Sequence, residues 1–303
     1  MRLVGILAVL GAAAIWAFEP ILARTIGADT GFDQMLFSRA LGCVVMSGVF
    51  FSTRILFSQK KSFVNGLTLS FPQWRAFFLI GFLGSFFADL LYFIAILFFH
   101  TPVVNAVLIA HLQPVFLVLF GHFIFHEGKF SFWDYGGIVA MLFSALLVIS
   151  GSLDNLLGLR FGGVGDFLVL GATVFWALSG LLAKKYLQNQ PSSLITMGRF
   201  LVSLPFYGLL ALLVSQHLFL SFQSLLFGAL IGVGYFFYYE GLKRLKTAQA
   251  AALELAAPVF ATGLGFVFFH ETVSLFKWIG IGLLFVGIFC FERASRDSGE
   301  TVA

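Results

Sequence analysis

Apolar residues run through this chain in stretches of about twenty, each closed by a short charged or turn-forming break. A hydrocarbon core of ~30 Å takes ~20 helical residues. Cutting at the breaks predicts spans near 3–23, 32–53, 76–97, 102–125 and 132–151, then 165–183, 192–214, 223–242, 247–269 and 273–291. The pattern therefore predicts an all-α polytopic membrane protein with ten transmembrane helices.

The pattern is also written twice. Leu10-Gly11-Ala12, Trp16-Ala17 and Leu22-Ala23-Arg24 return as Leu170-Gly171-Ala172, Trp176-Ala177 and Leu182-Ala183-Lys184, and Arg39 returns as Arg199, all offset by 160. Further on, Pro114-Val115-Phe116, Gly121 and Phe125-His126-Glu127 return as Pro258-Val259-Phe260, Gly265 and Phe269-His270-Glu271, offset by 144. The change of offset puts a sixteen-residue excess in one first-half loop, around Arg54 to Trp74. The division is a first five-helix repeat over 1–151, an outer linker over 152–164, a second repeat over 165–293 and a tail over 294–303. The first span has the look of a signal peptide, yet its copy at 165–183 makes it a structural element that is retained.

Composition agrees. Hydrophobic residues make up 60% of the chain and charged ones 11%, against about 45–50% and about 25% in soluble domains. Lysine and arginine then set the orientation. With the N-terminus inside, thirteen fall on the cytoplasmic side (Arg2, Arg54, Lys60, Lys61, Arg75, Lys129, Lys184, Lys185, Lys243, Arg244, Lys246, Arg293 and Arg296) and three outside (Arg24, Arg160 and Lys277). Both termini are expected in the cytoplasm. Because each half holds an odd number of spans, the halves insert in opposite senses, as two inverted five-helix repeats. Such repeats favour a working site where the halves meet, opened to each side in turn. The basic balance reads as topology and implies no nucleic acid. Cys43 and Cys290 lie inside apolar runs with no metal-ligand neighbours and give no disulfide framework.

Ten spans, a doubled five-helix unit with an early Trp, and a Pro-Val-Phe helix ending at Glu resemble the drug/metabolite transporter superfamily, in its EamA-type branch. The resemblance covers nearly all of residues 3–291. It implies a bacterial or archaeal inner-membrane carrier with a central cavity, peripheral fifth and tenth helices, a small-molecule solute and no cofactor. It does not name the solute, since the family includes amino-acid, drug, sugar and nucleotide-derivative carriers. No Walker A sequence is present, so nothing points to ATP-driven pumping, and no soluble segment is long enough for a catalytic domain. A membrane-embedded lipid enzyme would want carboxylates or histidines clustered at one membrane face, and the sequence shows no such cluster. A channel would want a continuous polar pore, whereas the polar positions are sparse and deep. The expected function is alternating-access transport, export ahead of uptake, driven by protons or by exchange.

A mid-membrane charge costs on the order of 3 kcal/mol, so each one is a candidate. Glu19 and Arg39 fall roughly 7–11 Å inside the outer boundary and are placed to pair, either as a helix lock or as part of a gate or binding site. In the second half Arg39 is copied as Arg199, but Glu19 is replaced by Ser179. Arg199 must therefore find Glu254 or Glu240, or face water or an anionic solute. Asp89 shares a helical stripe with Ser85 and Tyr92 and is a candidate proton carrier or a neutral, hydrogen-bonded group. His111, with Asn105 and Gln113 nearby, lies at site depth in span 4 and is either a coupling group or a satisfied core histidine.

Pro114 and Pro258 hold matching positions, and each leaves the carbonyl four residues earlier, of Ala110 and Glu254, without its helical partner. The predicted bends are either gates or plain packing. Trp16 and Trp176, with Tyr235, Tyr238 and Tyr239, are candidate cavity walls. His126-Glu127 and His270-Glu271 lack the second histidine of a zinc HExxH motif and read as caps or anchors. Gly280, Gly282 and Gly287 read as helix-packing positions, including a homodimer through the peripheral helices.

Overall fold

A computed structural model of the chain describes residues 2–57, 69–124, 131–158, 162–242, 244 and 253–297. Lys60, Lys61, Lys129, Arg160, Lys243, Lys246, His126, Glu127 and most of the sixteen-residue excess lie outside these. Among the described residues the chain is helical with no strand. Nine helices among the described residues are long and apolar enough to cross a membrane, and Ala256–Phe269 is a shorter apolar helix.

The first half holds α1 (Arg2–Thr30), α2 (Phe32–Phe57), α3 (Phe71–Leu97), α4 (Val103–Phe123) and α5 (Phe132–Ser150). The second holds α6 (Val164–Leu187), α7 (Ser192–Val214), α8 (Phe222–Leu242), α9 (Ala256–Phe269) and α10 (Leu275–Asp297). A one-turn helix, Leu153–Leu157, lies in the linker between them. Several helices outrun their predicted spans. α1 continues to Thr30, so Glu19 sits deeper from that helix's end than the sequence placed it. α10 runs on into the segment expected to be a tail.

The packing pattern survives an exchange of the halves. α1 packs on α8 and α9, and α6 on α3 and α4; α2 meets α8 as α7 meets α3; α2 pairs with α7 and α5 with α10. Directions follow from the contacts. Asp33, at the start of α2, accepts from Ser215, just past the end of α7, while a side chain added at Gly208 would meet Phe37 and one at Gly48 would meet Met197. Matched helices thus run antiparallel side by side, the mark of an inverted repeat. α5 and α10 pair likewise, with Gly137 beside Phe291 and Gly280 beside Ser144 and Val148. Gly280 and Gly287 are therefore used within the chain, whereas Gly282 meets open space.

Small residues set how closely these helices approach. A Cβ at Gly42 would lie 2.1 Å from the carbonyl oxygen of Leu225, and one at Gly228 would lie 1.9 Å from that of Arg39. α2 and α8 touch backbone to backbone at the level of Arg39, which only glycine permits. The outside of the bundle stays apolar, with Phe143, Leu213, Phe222, Phe266 and Phe289 among its exposed side chains. That surface suits lipid rather than water. The chain is a multi-pass membrane protein.

Candidate functional site

The halves meet around a cluster of buried charges. Arg39 on α2 is 2% exposed and faces two carboxylates: Nη2 pairs with Glu19 on α1, and Nη1 donates to Asp89 Oδ2 on α3 at 3.0 Å. Its guanidinium also lies 4.7 Å from the Phe93 ring centroid and 5.4 Å from that of Phe227. The expected Glu19–Arg39 pair is thus a triad. Asp89 is no isolated carboxyl: its second oxygen accepts from Trp176 Nε1 at 2.9 Å, and the same N–H reaches the Gly84 carbonyl at 3.1 Å. Tyr92 packs on Trp176 with ring centroids 5.3 Å apart.

Arg199 stands differently. Its Nε donates to Ser85 Oγ, and its guanidinium lies 4.8 Å from the Tyr235 centroid, with Tyr239 nearby. Among the described residues neither Nη atom has a hydrogen-bond partner or a carboxylate within ion-pair distance. The two partners considered from the sequence are elsewhere: Glu240 pairs with Arg244 at 2.7 Å, and Glu254 lies beside the Tyr238 hydroxyl. The reason is packing. α3 reaches Arg199 first, presenting Ser85 from a π-helical segment, Ile80–Phe87. The Ser85 carbonyl accepts from Tyr207 at 2.8 Å. π-Segments often occur at functional sites.

The proline positions are breaks rather than smooth bends. α4 divides into Val103–Ala110 and Gln113–Phe123, with His111 and Leu112 between. Leu255 likewise interrupts the chain before α9, and Pro258 lies in that helix's first turn. The two interruptions face each other. His111 Nδ1 lies 2.7 Å from the Val107 carbonyl, and the ring also lies by the Glu254 carbonyl, the group that Pro258 leaves without a helical N–H. Gln113 Nε2 lies alongside α6 at Gly180. Trp16 connects the regions, 6.1 Å from Tyr235 and 5.1 Å from Tyr238, and Tyr239 stacks on Tyr235 at 6.4 Å.

A polar seam closes the end of the bundle that carries Arg24. Arg24 pairs with Glu271 at 3.3 Å and donates to the Thr101 carbonyl. Glu271 also accepts from the backbone N–H of Val103 at 2.9 Å and of Val104 at 3.3 Å. The carboxylate caps α4, where a helix N-terminus favours negative charge. Nearby, Asn105 donates to Asp166 at 3.1 Å, and Gln34 bonds the backbone of His217 and Phe219, both at 2.8 Å. The seam joins first-half to second-half helices. Among the described residues no group of three or more His, Cys, Asp or Glu side chains is placed to hold a metal ion.

Sequence reasoning placed Ser85 on the Asp89 stripe but not against Arg199, and it missed Tyr207 and Gly84. Gly84 bore a signal, since it matches Gly228 at the 144 offset; the π-segment and the Tyr207 bond bore none.

Known proteins resemble this chain in fold or in sequence. A crystal structure 19% identical in sequence aligns over 98% of this chain and 100% of its own, with a TM-score of 0.63. A probable amino-acid metabolite efflux pump of Escherichia coli is 24% identical over 304 residues, covering 94% of this chain and 93% of its own. An uncharacterized transporter of Methanothermobacter thermautotrophicus is 25% identical over 198 residues, and the match spans only 56% of that protein's length. The EamA-like transporter family model matches residues 3–150 and again 163–292. Matched in both halves, the chain belongs to the EamA-like transporter family.

Proposed function

We propose that this protein is a secondary transporter that moves a small organic metabolite across the cytoplasmic membrane by alternating access, with both termini in the cytoplasm and export as its direction. The observation that carries the reading is the antiparallel packing of matched helices around buried charge. Rocking one half against the other exposes such a midplane cluster to each side in turn. The seam at the Arg24 end is the natural place for one closure, and the facing breaks beside Pro114 and Pro258 are natural hinges. Similarity to the Escherichia coli protein, a probable efflux pump, supports export.

Coupling is to protons or to exchange. Asp89 is engaged by Arg39 and Trp176, which favours a structural role. Glu254 and His111, at the breaks and with no basic partner among the described residues, are the better proton carriers. Flux of a metabolite library from proteoliposomes tests the proposal. Saturable flux without product formation is expected, with uphill movement lost and downhill exchange kept in Glu254→Gln. Product formation without flux, or flux that never saturates, would contradict it.

A further inference from the structure

The two halves hold the same arginine in two different states. In the first, the Glu19 carboxylate sits on Arg39 Nη2. In the second, the copied position is Ser179, shorter by the whole carboxylate, and its Oγ is buried with no hydrogen-bond partner. Arg199 is 6% exposed, yet neither of its Nη atoms is among the fully buried orphans, so its open fork retains accessible surface. The groups converge. A Cβ on Gly84 would lie 2.3 Å from Ser179 Oγ and 3.4 Å from Arg199 Nη2, so both border the same point. Glycine lets α3 pack directly against Ser179 there.

We propose that Arg199 and Ser179 form a seat for the carboxylate of the transported solute, in the place that the Glu19 carboxylate fills on Arg39 in the other half. The guanidinium fork accepts a carboxylate through two parallel N–H···O bonds, and the serine hydroxyl adds a third donor. Charge selects a single negative charge over a phosphate dianion. The two carboxylates and two guanidiniums of the cluster already balance, so each added charge stands uncompensated in low dielectric. Tyr235, in contact with Arg199 on one side and Trp16 on the other, gives the body of the solute an aromatic wall.

The seat rests on the transport reading only in taking the bound acid as cargo, so binding is measured without flux. Purified protein in detergent is titrated with monocarboxylates from acetate to phenylpropanoate, with the amide of each, and with inorganic phosphate. The acids are expected to raise the melting temperature while their amides do not, with phosphate weaker than the best acid. Arg199→Gln should weaken acid binding by about 10- to 100-fold, the range for losing charge-assisted hydrogen bonds. Ser179→Glu, which supplies the carboxylate from the chain itself, should melt higher than the parent without ligand and lose its response to acids. If Ser179→Glu fails to give monodisperse protein, Arg199→Gln decides. Amides that bind as well as acids, phosphate that binds more tightly, or acid binding unchanged in the folded variants would overturn the seat. Flux of other solutes with no acid binding defeats the seat alone, whereas acid binding with no flux of any solute defeats the transport reading alone.

Discussion

Arg39 answers two carboxylates at once, which fixes how the cluster should respond to charge deletion. Replacing it by Met strands Glu19 and Asp89 together in a site where Arg39 itself was 2% exposed. Removing one member of a buried ion pair costs about 3–5 kcal/mol, and two orphaned carboxylates place Arg39→Met at the top of that range. Glu19→Gln should cost about 1.5 kcal/mol, because the amide oxygen still accepts from Nη2 and Asp89 still neutralises the arginine. Asp89→Asn should behave similarly. Their double variant leaves the arginine uncompensated and should cost more than the two single changes together, a coupling that a double-mutant cycle reads directly. Exchanging Glu19→Arg with Arg39→Glu should fail to rescue, since the new glutamate would face Asp89. Equilibrium unfolding in mixed micelles measures each difference. An exchanged variant as stable as the parent, or Arg39→Met unfolding like the parent, would refute the triad.

Other outcomes follow from the packing. Gly228→Val should prevent folding, because the Arg39 carbonyl lies where its Cβ must go; recovery of monodisperse protein after membrane extraction checks this. Glu271→Ala removes the Arg24 pair and the cap on α4, and should cost about 1–2 kcal/mol in the same unfolding assay. Pro114→Ala with Pro258→Ala should slow flux while leaving solute affinity within about twofold, as expected if the breaks act in opening rather than in binding; initial rates against equilibrium binding separate the two.

The helices were legible because apolar runs of spanning length leave little choice in lipid, where every backbone group must find a partner within a helix. The inverted halves were legible from the doubled Trp, Arg and Pro positions and the odd number of spans per half. The triad was not. Comparing repeats pairs only copied positions, and Asp89 corresponds to Val233, so it read as a lone carboxyl although it faces Arg39 from a third helix. Arg199 was recognised as lacking its copied partner, but Ser85 reaches it from a π-helical turn that no residue spacing announces. The breaks at His111 and Leu255 were expected as bends; their facing each other depends on α4 packing against α9, a contact between distant segments.

Alternating access requires the Arg24 end to open, and cross-linking tests that most directly. Cys43 and Cys290 are first replaced, then Arg24→Cys and Glu271→Cys are introduced and joined through two disulfides by a bis-methanethiosulfonate reagent long enough to span a former ion pair. Before joining, the variant in proteoliposomes should carry solute, since the tie is absent. Joined, it should stop, and reductive release should restore flux. Undiminished flux through fully cross-linked protein would contradict the account.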